Sequence, residues 1–307
     1  MLILGQKYKF TEVEKQKLLK KFSKIYELNY KEKDVNESIR EIEGHLKNRK
    51  FSLIVLNTRA KVPDELIKYL TNLQFKKNIK YISIEHFLEE YLEKCYIPES
   101  HDDLHFLDDI KPYSTWQYIQ KRTIDYSLSL AIITITAPLL IYSRYRIKKE
   151  SPGSSMFKQY RVGLNGKKFK CMKFRSMNLK TEYFNYYTQE NDPRVFPWGK
   201  LMRKTRIDEI PQIVNVLKGD MHLIGPRAEW EDLVKKYEKE IPYYNLRHIV
   251  RPGITGWAQV MYPYGSSTED ARQKLMYDLY YIKHWSIWLE FKIIFKTIKV
   301  ILKRKGV

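Results

Sequence analysis

Along the first hundred residues, short apolar runs alternate with stretches of helical spacing. Residues 1–4 (MLIL), 51–56 (FSLIVL) and 81–84 (YISI) have the apolar, β-branched content of buried strands. Thr11 with Glu14 makes a capping box that predicts a helix running to about Leu28. Pro63 opens a second helix to about Leu73, and a third is expected near 86–96. Strands separated by helices predict a small α/β domain over 1–96. No GxGxxG follows any of these strands, so nucleotide binding is not supported there, and a regulatory, docking or structural role is expected. Residues 97–118 are acidic, without periodicity and bracketed by prolines, which predicts a linker.

The pattern then changes. Residues 126–143 (YSLSLAIITITAPLLIYS) carry no charge over 18 positions, at the lower edge of spanning length. Pro138 lies inside this run, where it removes a backbone hydrogen bond and bends a helix. Cations flank both ends, Lys121 and Arg122 before it and Arg144, Arg146, Lys148 and Lys149 after it. A simple span carries its cation excess mainly on the cytoplasmic side. The pattern therefore predicts a re-entrant helix-break-helix hairpin over about 121–146, entering the bilayer, breaking at Pro138 and returning to the same face. A buried core helix is the alternative. Farther on, YRVGL and KKFKCMKF read as two strands joined through Gly163 and Gly166, crowding Lys158, Arg161, Lys173 and Arg175 into one region. Near the end, Lys292, Lys296, Lys299 and Lys303 mark one helical face, and Trp288, Phe291, Phe295, Ile298 and Leu302 another. Such a basic amphipathic helix suits a headgroup layer, or packs its apolar stripe on the core with its lysines solvated.

Charge sharpens the division. The formal net charge is +20, yet residues 1–110 hold 20 Lys and Arg against 19 Asp and Glu, while residues 111–307 hold 36 against 17. The positive field belongs to the second part and suits nucleic acid, an anionic membrane or phosphorylated substrates. The 24 Tyr, 13 Phe and 6 Trp fit single-stranded nucleic acid and a membrane interface equally well. Cys95 and Cys171 match no metal-site spacing and imply no disulfide framework, so a reduced compartment is the default. The apolar run at the N-terminus is too short for a signal peptide.

The chemistry concentrates in RKTRIDEIPQIVNVLKGDMHLIGPR, residues 203–227. Adjacent carboxylates at Asp208 and Glu209 lie among Arg203, Lys204 and Arg206, with Arg227 beyond. Nearby cations favour ionised carboxylates, and guanidinium groups suit phosphate oxygens. An ionised Asp among phosphate-binding groups can act as a nucleophile or hold Mg²⁺, and the bland alternative is a solvated, salt-bridged pair. Pro211 predicts a helical turn that sets the pair near its start. Gly225-Pro226-Arg227 and the turn RPGITG at 251–256 are rigid and could present Arg227 and Arg251 to a ligand.

From about Lys121 to Thr297 the chain resembles the bacterial sugar transferase family, the monotopic polyprenyl-phosphate phosphoglycosyl transferases. The likeness is carried by KR at 121–122, the proline-broken apolar segment, FKQYRVGLNGKKFKCMKFRSM, NDPRV, GKLMRKTRIDEIPQIVNVLKGDMHLIGPR, RPGITGWAQV and HWSIWLEFKIIFKT. It implies an α+β, membrane-embedded monotopic domain over 119–307 with the re-entrant hairpin and amphipathic interfacial helices. The preceding α/β domain then resembles an abbreviated Rossmann-like module. The implied activity is transfer of a phosphosugar from a UDP-sugar to undecaprenyl phosphate at the cytoplasmic face of a bacterial inner membrane. Both termini and the active site would lie on that face, as a first step toward capsule, O-antigen or glycoprotein glycans. By the same resemblance Asp208 attacks the β-phosphate, releases UMP and carries the phosphosugar, while Glu209 assists through metal or proton handling. Mg²⁺ near Asp208 is the implied cofactor. Lys121 and Arg122 would meet the lipid phosphate, and Arg175, Arg203, Arg227 and Arg251 are the other phosphate-contact candidates. The implied partners are the UDP-sugar, undecaprenyl phosphate and the bilayer, without nucleic acid, and a homodimer is compatible. Departures from the family pattern are Ala137-Pro138 in place of Ser-Pro, Arg206 where a small residue is common, and Ala228 in place of a second proline. The competing reading is a membrane-anchored basic protein that binds nucleic acid or anionic lipid without catalysis. It leaves the acidic pair and the rigid turns unexplained.

Overall fold

The computed structural model describes residues 1–28, 35–48, 50–58, 62–99, 109–179, 192–262, 265 and 267–302. They form two compact units, Met1–Tyr96 and Ile97–Val307.

In the first unit, β1 (Leu2–Leu4), β2 (Tyr26–Leu28), β3 (Leu53–Leu56) and β4 (Lys80–Ser83) form a parallel sheet in the order β2-β1-β3-β4. The connections are α1 (Glu12–Leu19), α2 (Val35–Asn48) and α3 (Asp64–Lys77), with α4 (Ile84–Phe87) after the last strand. Leu2, Leu4, Ile54, Leu66 and Leu70 build the core, since a parallel sheet covered by helices buries its strands. The Thr11–Glu14 capping box is present, but α1 ends at Leu19 instead of continuing to Leu28. Only Glu14 and Leu18 of α1 are buried, so no apolar stripe extends the helix, and Tyr26–Leu28 gains more by pairing with β1. Neither β2 nor α2 is among the expected elements.

The second unit mixes helix and sheet. Its first helix, α5 (Thr115–Glu150), starts inside the stretch expected as linker because Ser114 and Gln117 form a capping box. Residues 100–108 of that expected linker lie outside the described residues. At 36 residues α5 is long and apolar enough to cross a membrane, with mean hydropathy 1.8 in a window only 11 % buried. The helix runs on through Pro138, so the expected break is not an interruption of α5. A proline deletes one i→i−4 bond, and the turns on either side persist. The hydroxyls of Thr134 and Thr136 donate to the carbonyls of Leu130 and Ile132 at 2.9 and 2.7 Å. They relieve earlier turns, not the carbonyl that Pro138 leaves free.

Burial along α5 falls in two groups. Lys121, Arg122, Asp125 and Ser129 are buried near its start, and Ser143 and Ile147 near its end. Between them Leu130, Ile135 and Ile141 are exposed at 69 %, 78 % and 73 %. The antiparallel hairpin β5 (Met156–Val162) and β6 (Lys168–Phe174) follows, with Asn165 and Gly166 at positive φ in its turn. Then come α6 (Pro197–Thr205), a 3₁₀ segment (Ile207–Gln212), α7 (Ile213–Lys218), and the parallel pair β7 (His222–Ile224) and β8 (Gly253–Thr255). Between β7 and β8 lie α8 (Glu231–Glu240) and a 3₁₀ segment (Tyr244–Ile249), and α9 (Trp257–Met261), α10 (Thr268–Lys283) and α11 (Ile287–Leu302) close the chain. Trp257, Tyr277 and Tyr281 are fully buried.

The orientation of α11 separates its two expected packings. Leu289, Glu290 and Ile293 face inward, and Lys292 and Lys296 reach over the Trp257 ring at 5.0 and 5.5 Å. Trp288, Phe291, Phe295, Ile298 and Leu302 are exposed, so the aromatic stripe is not core. A contiguous apolar face of this kind marks a membrane or protein interface. Lys303 lies outside the described residues.

Candidate functional site

Arg206 turns the chain sharply between α6 and the 3₁₀ segment, at φ 61° and ψ 16°. A left-handed conformation is unfavourable for a residue that carries a Cβ, so Arg206 holds this turn at a backbone cost that glycine would avoid. The turn directs Asp208 and Glu209 inward from the first turn of the 3₁₀ segment, where both are buried.

The two carboxylates meet different fates. Glu209 Oε1 accepts from Lys173 Nζ at 2.6 Å and from Arg227 at 3.2 Å, with Arg206 at 4.0 Å. Burial opposes its ionisation, but Lys173, Arg227 and Arg206 overcome that and hold its pKa well below the carboxylate range. Among the described residues Asp208 Oδ1 has no hydrogen-bond partner, and it is buried. Burial and the neighbouring Glu209 charge push its pKa up to about 6, against the pull of Lys173, Arg203 and Arg206. One carboxylate neutralises the cations and the other remains a free, poorly solvated oxygen.

The supports are specific. Lys173 lies on the face of β6 that also carries Cys171, and Asn215 on α7 laces that strand down. Asn215 accepts from the Met172 N–H at 3.0 Å and donates to the Lys170 carbonyl at 2.8 Å. The Arg227 carbonyl accepts from Arg247, which is itself paired with buried Asp278 at 2.8 Å. The two rigid turns lie back to back because glycine permits it. A Cβ on Gly253 would stand 2.1 Å from the Gly225 nitrogen, and one on Gly256 would stand 2.1 Å from the Gly225 oxygen. Beside Glu209 lies a small hollow, partly open to solvent, lined by Arg161, Cys171, Lys173, Gln212, Arg227, Ala228 and Gly253.

Of the expected phosphate-binding cations, Arg227 stands at the pair, and Arg203 is near enough for its charge to act on Asp208. The other four are engaged elsewhere. Lys121 is fully buried and bonded to Glu290 at 2.5 Å, where Tyr281 and Trp285 also donate to that carboxylate. Arg122 donates to the Val216 carbonyl at 2.9 Å and to the Tyr126 hydroxyl. Arg175 is bonded to the hydroxyl and carbonyl of Ser151. Arg251 donates to the Gly219 carbonyl at 2.7 Å and lies over the Tyr118 ring. These four act as braces here, because a buried cation must find oxygen acceptors and the fold supplies them.

Lys173 was the missing member of the expected site, although strand alternation pairs it with Phe157 and sets it on one face with Cys171 and Arg161. Asp125 was missed too. It accepts from the Leu223 N–H at 2.9 Å and bonds His222 at 2.5 Å, tying the start of α5 to β7. Burial depresses the pKa of His222 to about 4 against the pull of Asp125, so the imidazole is neutral at physiological pH. Among the described residues no group of three or more His, Cys, Asp or Glu could hold a metal. The unpaired Asp208 oxygen nevertheless suits Mg²⁺, which is commonly bound by one or two carboxylates together with substrate phosphates.

Comparison with known proteins gives this geometry a context. The family model described as bacterial sugar transferase matches residues 116–304. A UDP-N-acetylgalactosamine-undecaprenyl-phosphate N-acetylgalactosaminephosphotransferase of Aeromonas hydrophila is 47 % identical over 201 residues, covering 65 % of this chain and 47 % of that protein. A UDP-glucose:undecaprenyl-phosphate glucose-1-phosphate transferase of Escherichia coli is 40 % identical over 191 residues, 61 % of this chain and 41 % of its own. A protein of the same description from Caulobacter vibrioides is 38 % identical, with 60 % of this chain and 70 % of its own covered. The chain thus spans under half the length of the first two relatives.

Proposed function

The chain belongs to the bacterial sugar transferase family, and from that membership we propose that it transfers a phosphosugar from a UDP-sugar to undecaprenyl phosphate. The products are UMP and undecaprenyl-diphosphate-sugar. The observation that carries this reading is the division within the buried pair, one carboxylate clamped by cations and its neighbour left unpaired.

In the first step an Asp208 oxygen forms a bond to the β-phosphorus. The bond from that phosphorus to the bridging oxygen breaks, and UMP leaves with the electron pair. In the second step an oxygen of the lipid phosphate attacks the same phosphorus and releases the Asp208 carboxylate. Splitting the transfer in two lets one site serve two bulky anionic substrates in turn. Lys173, Arg203, Arg206 and Arg227 favour charge accumulating on the transferred phosphoryl group. Mg²⁺ held by Asp208 and the diphosphate would offset charge and improve UMP as a leaving group.

For location we propose a monotopic protein at the cytoplasmic face of the inner membrane, with the exposed middle of α5 entering the bilayer, bending at Pro138 and returning. Support comes from burial at both ends of α5 around an exposed apolar middle, from cations on both flanks, and from the outward aromatic stripe of α11. The parallel sheet of the first unit has the strand order with which flavodoxin-like sheets begin, and we read it as an abbreviated doubly wound module.

The direct test is UMP release by purified protein in detergent given UDP-sugars, Mg²⁺ and undecaprenyl phosphate, with the intermediate mapped by mass spectrometry. The phosphosugar mass should lie on the peptide containing Asp208. Lipid product forming with that peptide unmodified would refute the covalent route, and no release from any UDP-sugar would refute the activity. Tags at both termini should be reachable from the cytoplasm, and one found in the periplasm would make α5 a span.

A further inference from the structure

We propose that Glu209 is a resident counter-ion that holds Lys173 and Arg227 in the place of a substrate phosphate, and that the hollow beside it is the subsite this phosphate enters as it displaces the carboxylate. The ligand class is the diphosphate of a nucleotide or its product monophosphate, so the inference rests on the phosphosugar-transfer reading.

Three cations line the hollow, Arg161, Lys173 and Arg227, and Glu209 is bonded to two of them. Arg161 marks the hollow as a site. Its guanidinium donates to the Ala228 carbonyl at 2.6 Å and to Gln159 at 3.0 Å, and it lies over Trp230. The residue is 9 % exposed, and among the described residues its buried Nε has no hydrogen-bond partner. The carboxylate nearest to it, Glu229, stands 3.8 Å away, so Arg161 adds positive charge to the hollow without a close counter-ion.

The geometry also shows which contacts can yield. The side chains of Lys173 and Arg227 are 17 % and 33 % exposed, whereas Glu209 is 9 % exposed. The cations thus have an open side toward which an incoming anion can draw them. A phosphate offers more oxygens and more charge than a carboxylate and is the stronger acceptor for a guanidinium. Glu209 keeps the cations ordered before substrate arrives, at the cost of competing with it. That role differs from holding a metal or moving a proton, both of which predict that removing the carboxylate weakens function without strengthening anion binding.

The test is calorimetric titration of the full chain in detergent with UMP and, separately, inorganic pyrophosphate, in Mg²⁺-free buffer. Removing a negative charge at this range should tighten binding by on the order of tenfold in Glu209→Gln. Asp208→Asn removes the same charge but frees neither Lys173 nor Arg227, so it should tighten binding less. Arg161→Lys keeps the charge, loses the guanidinium Nε and should bind on the order of tenfold more weakly. Unchanged or weaker binding in Glu209→Gln overturns the proposal, as does equal tightening in the two carboxylate variants. Should Glu209→Gln not fold, Arg161→Lys decides, and wild-type affinity there overturns it. Failure of wild type to release UMP from any UDP-sugar sinks the functional reading instead, whereas an active wild type with no tightening in Glu209→Gln sinks this inference alone.

Discussion

Buried Glu–Lys ion pairs occur in both units, and two of them, Glu14–Lys94 in the first and Glu209–Lys173 in the second, are built to opposite ends. In the first unit Glu14 is bonded to Lys94, shares the Tyr8 hydroxyl proton between its two oxygens at 3.0 and 3.1 Å, and accepts from the Thr11 N–H at 2.8 Å. Both side chains are closed off, at 4 % and 0 % exposure, and the carboxylate is fully used by neighbours. In the second unit Glu209 is bonded to Lys173, but the cations outnumber it, one is a third exposed, and an unpaired carboxylate sits next to it. A satisfied pair is structure. A pair with surplus cations and an orphan oxygen is poised for a ligand, since only an incoming group can complete its hydrogen bonds.

The sharpest way to break the comparison is to neutralise each glutamate in turn. Glu14→Gln removes the carboxylate bonded to buried Lys94, which should cost about 3–5 kcal/mol of stability in the full chain. Glu209→Gln should cost about 1 kcal/mol, because Lys173 and Arg227 can turn toward water. Denaturant midpoints of the full chain in detergent measure both. Equal losses would mean that the second pair is as structural as the first.

A second test asks whether Asp208 burdens the fold. A carboxyl whose pKa is raised by folding destabilises the native state when ionised. The penalty is absent below the unfolded pKa near 4, grows between about 4 and 6, and is full above the folded value of about 6. Asp208→Asn should therefore abolish UMP release yet gain about 2–3 kcal/mol at pH 8, with no gain at pH 4. A variant that loses both turnover and stability at pH 8 would identify Asp208 as a structural group.

How much of this was legible in sequence varies with distance along the chain. The hairpin over 156–174 was legible, because alternation and turn glycines are local signals, and the capping box at Thr11 was visible for the same reason. The acidic pair stood out because its cations are near in sequence. The braces were illegible. Lys121 meets Glu290 across 169 positions, and Asp125 meets Leu223 across 98. A basic residue beside an apolar run looks like a phosphate ligand until the fold reveals a buried acid in front of it. Lys173 was hidden the opposite way, as one lysine of several in a strand, and only the strand's facing distinguishes it. The end of α1 was missed because β2 exists through pairing with β1, a contact local patterning does not encode.

The smallest effect is the most diagnostic of the orphan oxygen. If ionised Asp208 is the attacking group, the first step should lose rate as pH falls through about 6, by about tenfold for each unit below it. The lipid phosphate also titrates in this range, so the step must be isolated by measuring the burst of UMP from enzyme and UDP-sugar with no lipid acceptor present. Glu209 adds no second limb, because Lys173 and Arg227 keep it ionised well below that window. The neutral His222 adds none either until about pH 4. A burst rate that is flat from pH 5 to pH 8 would mean that the unpaired carboxyl of Asp208 is not the group whose ionisation starts the reaction, and the contrast between the two buried pairs would lose its chemical meaning.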